Sequence, residues 1–265
     1  MDLAGRSVLL TGATGGIGRA IARALDARGA RVLLSARRED LLEAIRAELG
    51  GRGDCLPADL SSTAGVAELA ERAGAVDALV ANAALPASGR LDDFSPAEID
   101  RALDVNLRAP IQLTRALLPG MVDRGLGHLL YVSSLAGKAA SPRGSLYSAT
   151  KFGLRGFATG LRQDVEPHGL RVTVVYPGFV ADAGMFADSG ARLPPWVGTR
   201  TAAQVAEAVA GGMEDERAEV DVAPLSLRAG AAVAALAPVT VARLQSRLGS
   251  TGVADRIARG QRPKR

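Results

Sequence analysis

One feature near the start of this 265-residue chain restricts its fold more than any other: a glycine-rich turn lies between an apolar run and a helical segment. Thr11-Gly12-Ala13-Thr14-Gly15-Gly16-Ile17-Gly18 follows the run 7–10 and opens a stretch in which Ile17, Ile21, Ala24 and Leu25 share one helical face. Glycines let a backbone approach a pyrophosphate closely, and the unpaired N–H groups of a helix start hold its negative charge. Three residues separate Gly12 from Gly16 and one separates Gly16 from Gly18, unlike the common G-x-G-x-x-G spacing.

The same alternation continues along the chain. Short, mostly β-branched or leucine-rich runs at 31–34, 77–81, 128–132 and 171–176 read as buried strands, 53–57 as a weaker one and 218–222 as the last. Helical periodicity fills the intervals, with long helices expected at 95–121 and 145–166 and another at 201–213. Ser95-Pro96-Ala97-Glu98 supplies a capping box with proline at the first helical position. This pattern predicts an α/β Rossmann-type fold: a single domain whose doubly wound parallel sheet carries helices on both faces. The expected domain spans 1–223, with an irregular substrate lid at 182–200. Residues 224–265 form an apolar helical extension, divided at Pro238, with a basic tail.

Composition removes several classes of function. A single cysteine, Cys55, supports neither a disulfide nor a thiolate metal cluster. His128 and His168 show no HExxH pattern, so no metal is expected; both are read as surface-loop residues, and Cys55 as a buried strand residue. A net charge of +4 with only nine aromatic residues is no nucleic-acid surface. No apolar run reaches the roughly 18 residues of a membrane span, and the first apolar run is too short for a signal-peptide core. A cytoplasmic protein is expected.

Several further motifs follow the glycine turn: Asp59 in Ala-Asp-Leu, Asn82 in Ala-Asn-Ala-Ala, Asn106 in Val-Asn-Leu, Ser133-Ser134, Tyr147-Ser-Ala-Thr-Lys151 and Pro177-Gly178. Together, in this order and over roughly residues 5–180, they resemble the short-chain dehydrogenase/reductase family with its T-G-x-x-x-G-x-G fingerprint. The resemblance implies a nicotinamide cofactor held by Gly12, Thr14, Gly16, Ile17, Gly18, Asp59, Leu60, Asn82, Ala83, Tyr147, Lys151, Pro177, Gly178 and Val180. It also implies a catalytic group of Asn106, Ser134, Tyr147 and Lys151. Asp59 would meet the adenine, and Asn106 would bind a water linking Lys151 to solvent. The family's usual N-N-A-G is Ala81-Asn82-Ala83-Ala84 here, which leaves close backbone approach at Ala84 open. The family often carries Thr two residues after the Val; Ala181-Asp182 occupies that stretch here.

The chemistry can also be argued from the residues. Tyr147 and Lys151, four apart, share a helix face. An ammonium about 4 Å from the phenol at an effective dielectric of about 20 would favour phenolate by roughly 4 kcal/mol, or about three pKa units. The strand at 31–34 ends in Ala36-Arg37-Arg38, with no acidic residue to meet a ribose diol. Arg37, helped by Arg38, suits a 2′-phosphate and points to NADP(H) over NAD(H). Leu85, Phe179, Met185, Phe186 and Trp196, with Ser134 and Tyr147, are the candidate substrate contacts, and their apolar character suggests a lipophilic carbonyl or alcohol.

Two readings of the whole remain at this stage: an NADP-dependent reductase, or a cofactor-binding regulatory or scaffold protein without turnover. A homodimer or homotetramer is expected. Residues 243–265 hold seven basic residues against Asp255 alone. The extension therefore reads either as a subunit contact ending in a disordered tail or as a peripheral membrane contact, which would favour a lipid ketone substrate.

Overall fold

Strands buried along their whole length need cover on both faces, and the sequence supplies helices between every pair of them. The computed structural model describes residues 1–194, 197–247 and 250–264, with side chains described for all of these except 244–247 and 250. Six parallel strands form one sheet: β1 (Ser7–Thr11), β2 (Arg31–Ser35), β3 (Ala78–Ala81), β4 (His128–Val132), β5 (Arg171–Pro177) and β6 (Glu219–Val222). Their spatial order is β2-β1-β3-β4-β5-β6. The helices are α1 (Gly16–Asp26), α2 (Glu39–Glu48), α3 (Thr63–Ala73), α4 (Pro96–Leu103), α5 (Ala109–Arg124), α6 (Ser145–Val165), α7 (Gly184–Asp188) and α8 (Ala202–Glu214). After the last strand come α9 (Leu225–Leu236), α10 (Pro238–Arg247) and α11 (Ser250–Gln261).

Alternate strand residues build two cores. Val8, Leu10, Val32, Leu34, Val80 and Leu130 face α1, α2 and α8. Leu9, Leu33, Leu79, Leu129, Tyr131 and Val174 face α3, α5 and α6. The order reverses at β1, which lies between β2 and β3, so the crevice where ligands gather in such sheets opens beyond the carboxyl ends of β1 and β3. Both site loops, after Thr11 and after Ala81, leave the sheet there.

Four expectations are corrected. The segment 53–57 forms no strand: it meets β2 through one bridge, Leu34 to Cys55, and Gly53, at φ +83°, breaks the extended run at its start. The expected helix at 95–121 runs on to Arg124 but is widened at Asp104–Arg108 into a π-turn. His128 is no loop residue. It lies fully buried in β4 with Nε2 2.8 Å from Thr173 Oγ1, and burial pushes its imidazole down to about 3. The tail is not a disordered strand of charge, because α11 folds back onto the body.

Cys55 is half-buried, and its thiol is pushed up to about 11, first by burial and then by the neighbouring Glu43 carboxylate, so it is a poor nucleophile. Among the described residues no helix is long and apolar enough to cross a membrane.

Candidate active site

The site starts from two chain turns stitched together at the reversal of the sheet. Thr11 Oγ1 accepts the N–H groups of Asn82 at 3.1 Å and Ala83 at 3.2 Å. Asn82 returns two bonds, its Nδ2 donating to the carbonyls of Thr11 at 3.1 Å and Gly12 at 3.2 Å. The glycines are sterically required. Gly12 has φ +66°, and a Cβ there would lie 2.7 Å from Ala83 Cα; one on Gly18 would lie 2.1 Å from the Gly12 carbonyl oxygen. Helix α1 opens without a side-chain cap at Gly15 and without an acidic residue in its first turn. Its leading N–H groups are thus left for an anion, and the cradle fits a pyrophosphate. Thr14 and Ile17 flank it, half-buried.

Arg37 and Arg38 stand exposed where β2 ends, and among the described residues neither makes an ion pair. Asp59 is exposed and turned inward on its own loop. Its Oδ1 accepts from the Ser61 backbone at 3.0 Å and the Ser61 hydroxyl at 2.9 Å, which, with the charge of Arg37, holds the carboxyl below its usual range. Leu60 packs half-buried against the core beneath.

Across the crevice, the carboxyl end of β4 brings Ser134 to the start of α6. Ser133 and Ser134 part company here. Ser133 Oγ turns to the Lys151 carbonyl at 3.3 Å, while the Ser134 hydroxyl lies near enough to the Tyr147 phenol to favour its ionised form. Ser134 Oγ also accepts the Ala136 N–H at 3.2 Å and lies 3.4 Å from the Pro177 carbonyl. Lys151 is buried, with Nζ 3.1 Å from the Val132 carbonyl and 5.7 Å from the centre of the Tyr147 ring.

The electrostatics differ from the sequence argument. Burial pushes the Tyr147 phenol up to about 12, with the Ser134 hydroxyl opposing, and brings the Lys151 ammonium down to about 8. At this distance desolvation outweighs the attraction of the ammonium, so the pair alone does not bring the phenol near neutrality.

Asn106 sits in the π-turn, a device that widens a helix where function needs room. It is buried, its Oδ1 accepting the Leu85 N–H at 2.6 Å and its Nδ2 donating to the Leu85 carbonyl at 2.9 Å. It fixes the loop after β3 in place, and each half of its amide keeps one hydrogen-bonding position for a water.

The far wall comes from the exit of β5. Gly178 donates to the Val222 carbonyl at 3.0 Å, and a Cβ there would meet Ala223 at 3.0 Å. Val180 is buried and bridges to Arg200. Phe179 and Phe186 pack with ring centres 5.0 Å apart. The segment then crosses the glycine turn, where a Cβ on Gly16 would lie 2.6 Å from that of Ala183. Asp182 is used structurally, its Oδ1 accepting the Ala202 N–H at 2.8 Å to start α8. Met185 and Phe186 lie on α7, a short helix within the stretch expected to be irregular. Trp196 lies outside the described residues. The sequence reading missed Thr11, whose only signal was its place before Gly12, and every contact of α11.

With that geometry in view, a sequence profile described as short chain dehydrogenase matches residues 6–193. The ketoacyl reductase HetN of Nostoc sp. (strain PCC 7120) is 37% identical over 226 residues, covering 82% of this chain and 78% of that protein. The crystal structure of a metagenomic short-chain oxidoreductase in complex with NADP is 34% identical with a TM-score of 0.71, covering 84% of this chain and 99% of that one. A short-chain dehydrogenase from Sphingobium yanoikuyae in complex with NADPH is 27% identical with a TM-score of 0.77, covering 89% and 95%.

The buried ammonium has a measurable consequence for stability. Lys151 titrates near 8 in the folded chain and near its ordinary 10.5 when unfolded, so below pH 8 both states are charged and folding carries the full desolvation cost, up to about 3 kcal/mol. The cost shrinks as pH rises from 8 to 10.5 and is gone above that. Lys151→Met is therefore expected to be more stable than the parent to urea at pH 7, with the gain vanishing by pH 10.5. A variant less stable at both pH values would contradict the assignment of that burial cost.

Proposed function

Because the chain belongs to the short-chain dehydrogenase/reductase family of oxidoreductases acting on CH–OH/C=O groups, we propose that it interconverts a lipophilic carbonyl and its alcohol using NADP(H). The observation that carries this reading is the grouping of Ser134, Tyr147 and Lys151 at the carboxyl end of the sheet, opposite a glycine cradle without side-chain caps. The bound nicotinamide supplies or accepts hydride and, when oxidised, carries a positive charge. The chain's own residues handle the proton and the geometry.

In the reductive direction Tyr147 donates its phenolic proton to the carbonyl oxygen as that oxygen gains charge. The Ser134 hydroxyl stands beside the phenol, and it donates to the same substrate oxygen, fixing its distance from Tyr147. Lys151 keeps a positive charge behind the phenol and stabilises the phenolate formed. Asn106, with a water on its spare hydrogen-bonding positions, returns the proton from solvent. Leu85, Phe179, Met185 and Phe186 supply an apolar surface for the substrate body, and Trp196 joins them in this reading.

Tyr147→Phe is expected to lower reductase kcat by at least about 10³-fold, the scale of a general acid, with NADPH affinity within about twofold of the parent. Lys151 must be charged, so reductive kcat is flat below pH 8 and falls above it. Unchanged turnover in Tyr147→Phe would remove the mechanism. Loss of all turnover in the parent, with cofactor binding intact, would favour a regulatory or scaffold role.

The preference for NADP(H) rests on Ala36 standing where an acidic residue would repel a 2′-phosphate, and on the exposed guanidinium of Arg37, which pairs with no carboxylate among the described residues, with Arg38 beside it. Fluorescence titration is expected to give NADPH the tighter binding, and Arg37→Asp to weaken NADPH roughly tenfold or more while sparing NADH. Tighter NADH binding in the parent would overturn the preference.

The extension is proposed to rest on an anionic membrane surface. Helix α9 is apolar nearly all round, yet only Ala231 and Ala234 are buried, while Leu225, Val233, Leu236 and Val239 stand open at 76%, 55%, 89% and 62% exposure. Residues 243–265 carry seven basic residues, and their one carboxylate, Asp255, is paired to Arg143. The parent is expected to co-sediment with phosphatidylserine vesicles and Leu236→Glu/Val239→Glu to stay behind. No sedimentation, with a doubled or fourfold mass that the same variant lowers, would assign the surface to a second copy in a homodimer or homotetramer instead.

A further inference from the structure

The last helix touches both walls of the substrate cleft. Midway along α11, Asp255 Oδ1 accepts from Arg143 Nε at 2.6 Å. Arg143 lies four residues before Tyr147 in a left-handed conformation, φ +60°, and its carbonyl accepts the Gly89 N–H at 2.7 Å, so it ties the start of the catalytic helix to the loop after β3. It also lines, with Arg90, Asp92 and Ser145, a surface cavity of about 280 Å³.

At its carboxyl end α11 lies against the lid helix α7. A Cβ on Gly260 would fall 2.1 Å from the Ser189 carbonyl oxygen, so the helix can seat there only with glycine at that position. Gln261, only 5% exposed, donates from Nε2 to the Met185 carbonyl at 3.2 Å. Its Oε1 has no hydrogen-bond partner among the described residues. Beyond it, Lys264 pairs with Asp188 at 2.7 Å. A short helix such as α7 cannot hold its own position, and within the core domain its fastenings are few: the Phe179–Phe186 ring contact and the crossing at Gly16.

We propose that α11 is a positioning clamp: by joining Arg143 to Met185, Asp188 and Ser189 it holds the substrate lid at a fixed distance from the catalytic helix and so sets which carbonyl substrates the site accepts. Gly260, Gln261 and Asp255 are its positioning residues, and none of them enters the chemistry. The inference rests on the reductase reading for its effect on substrate choice, but the clamp itself is a mechanical property that can be read without turnover.

The test uses the full-length chain with Gly260→Val and, because a bulky residue there could disturb folding of the tail, Asp255→Arg as a second variant. Amide hydrogen exchange of 184–190 is expected to quicken about fivefold or more in either variant, while that of β1 and α1 stays unchanged. The charge-swapped pair Arg143→Asp/Asp255→Arg is expected to restore the parent rate. With a carbonyl substrate in hand, KM should rise and the preference between large and small substrates should shift, with NADPH affinity unchanged and kcat within about twofold. Exchange of 184–190 that is unaltered in both variants would overturn the clamp whatever the activity. Quickened exchange in a protein that reduces no carbonyl would keep the clamp and discard the reductase reading. Quickened exchange with KM and substrate preference unchanged would overturn its role in selection.

Discussion

Everything in this protein hangs on a parallel sheet that can exist only between two layers of helix. Val8, Leu9 and Leu10 are successive residues of β1, all without exposure, and they face alternately into the two cores. Parallel pairing makes each connection cross a face of the sheet and return all carboxyl ends to one edge. That edge collects the glycine turn after β1, Asn82 after β3, Ser134 after β4 and Gly178 after β5 without any of them being neighbours in sequence. Chemistry is concentrated there by topology before any side chain is chosen.

The side chains then spend stability for function. A lysine in the interior is costly, and among the described residues the Lys151 ammonium donates to the Val132 carbonyl alone. The Tyr147 phenol beside it is pushed the other way, so burial shifts both groups toward their neutral forms. Such a pair is poorly set for acid–base work by itself and well set once a cation arrives beside the phenol, where low dielectric strengthens its effect. In the proposed mechanism the positive charge of the oxidised cofactor thus favours Tyr147 as proton acceptor in the oxidative direction, and an empty site is left with a phenol reluctant to ionise.

Much of this was legible in the sequence because the signals were local. The glycine turn, the apolar runs and the Tyr147–Lys151 spacing each follow from short-range geometry, and the strand at His128–Val132 and the capping box at Ser95 appear where the pattern put them. What was not legible depended on partners distant in sequence. His128 becomes a core residue through Thr173, which no local pattern reveals. The π-turn at Asn106 is a backbone choice set by its bonds to Leu85. The pKa argument failed because spacing fixes which face two side chains share, whereas burial and the actual distance decide which force dominates.

The C-terminal extension shows the same division most sharply. Its composition, apolar and then basic, correctly suggested two helical pieces about Pro238 but could not say that the tail forms α11. A polar, arginine-rich segment with two internal glycines has weak helix propensity alone. One of those glycines, Gly260, is what lets the helix seat on Ser189, and Asp255, the lone carboxylate of the tail, is the one that finds Arg143. The residues that look least helical are thus those that fasten the helix, and order in the tail comes from the lid it grips. If substrate selection lies in that grip, it can vary through the tail while the core site stays fixed, because the clamp shares no residue with Ser134, Tyr147 or Lys151.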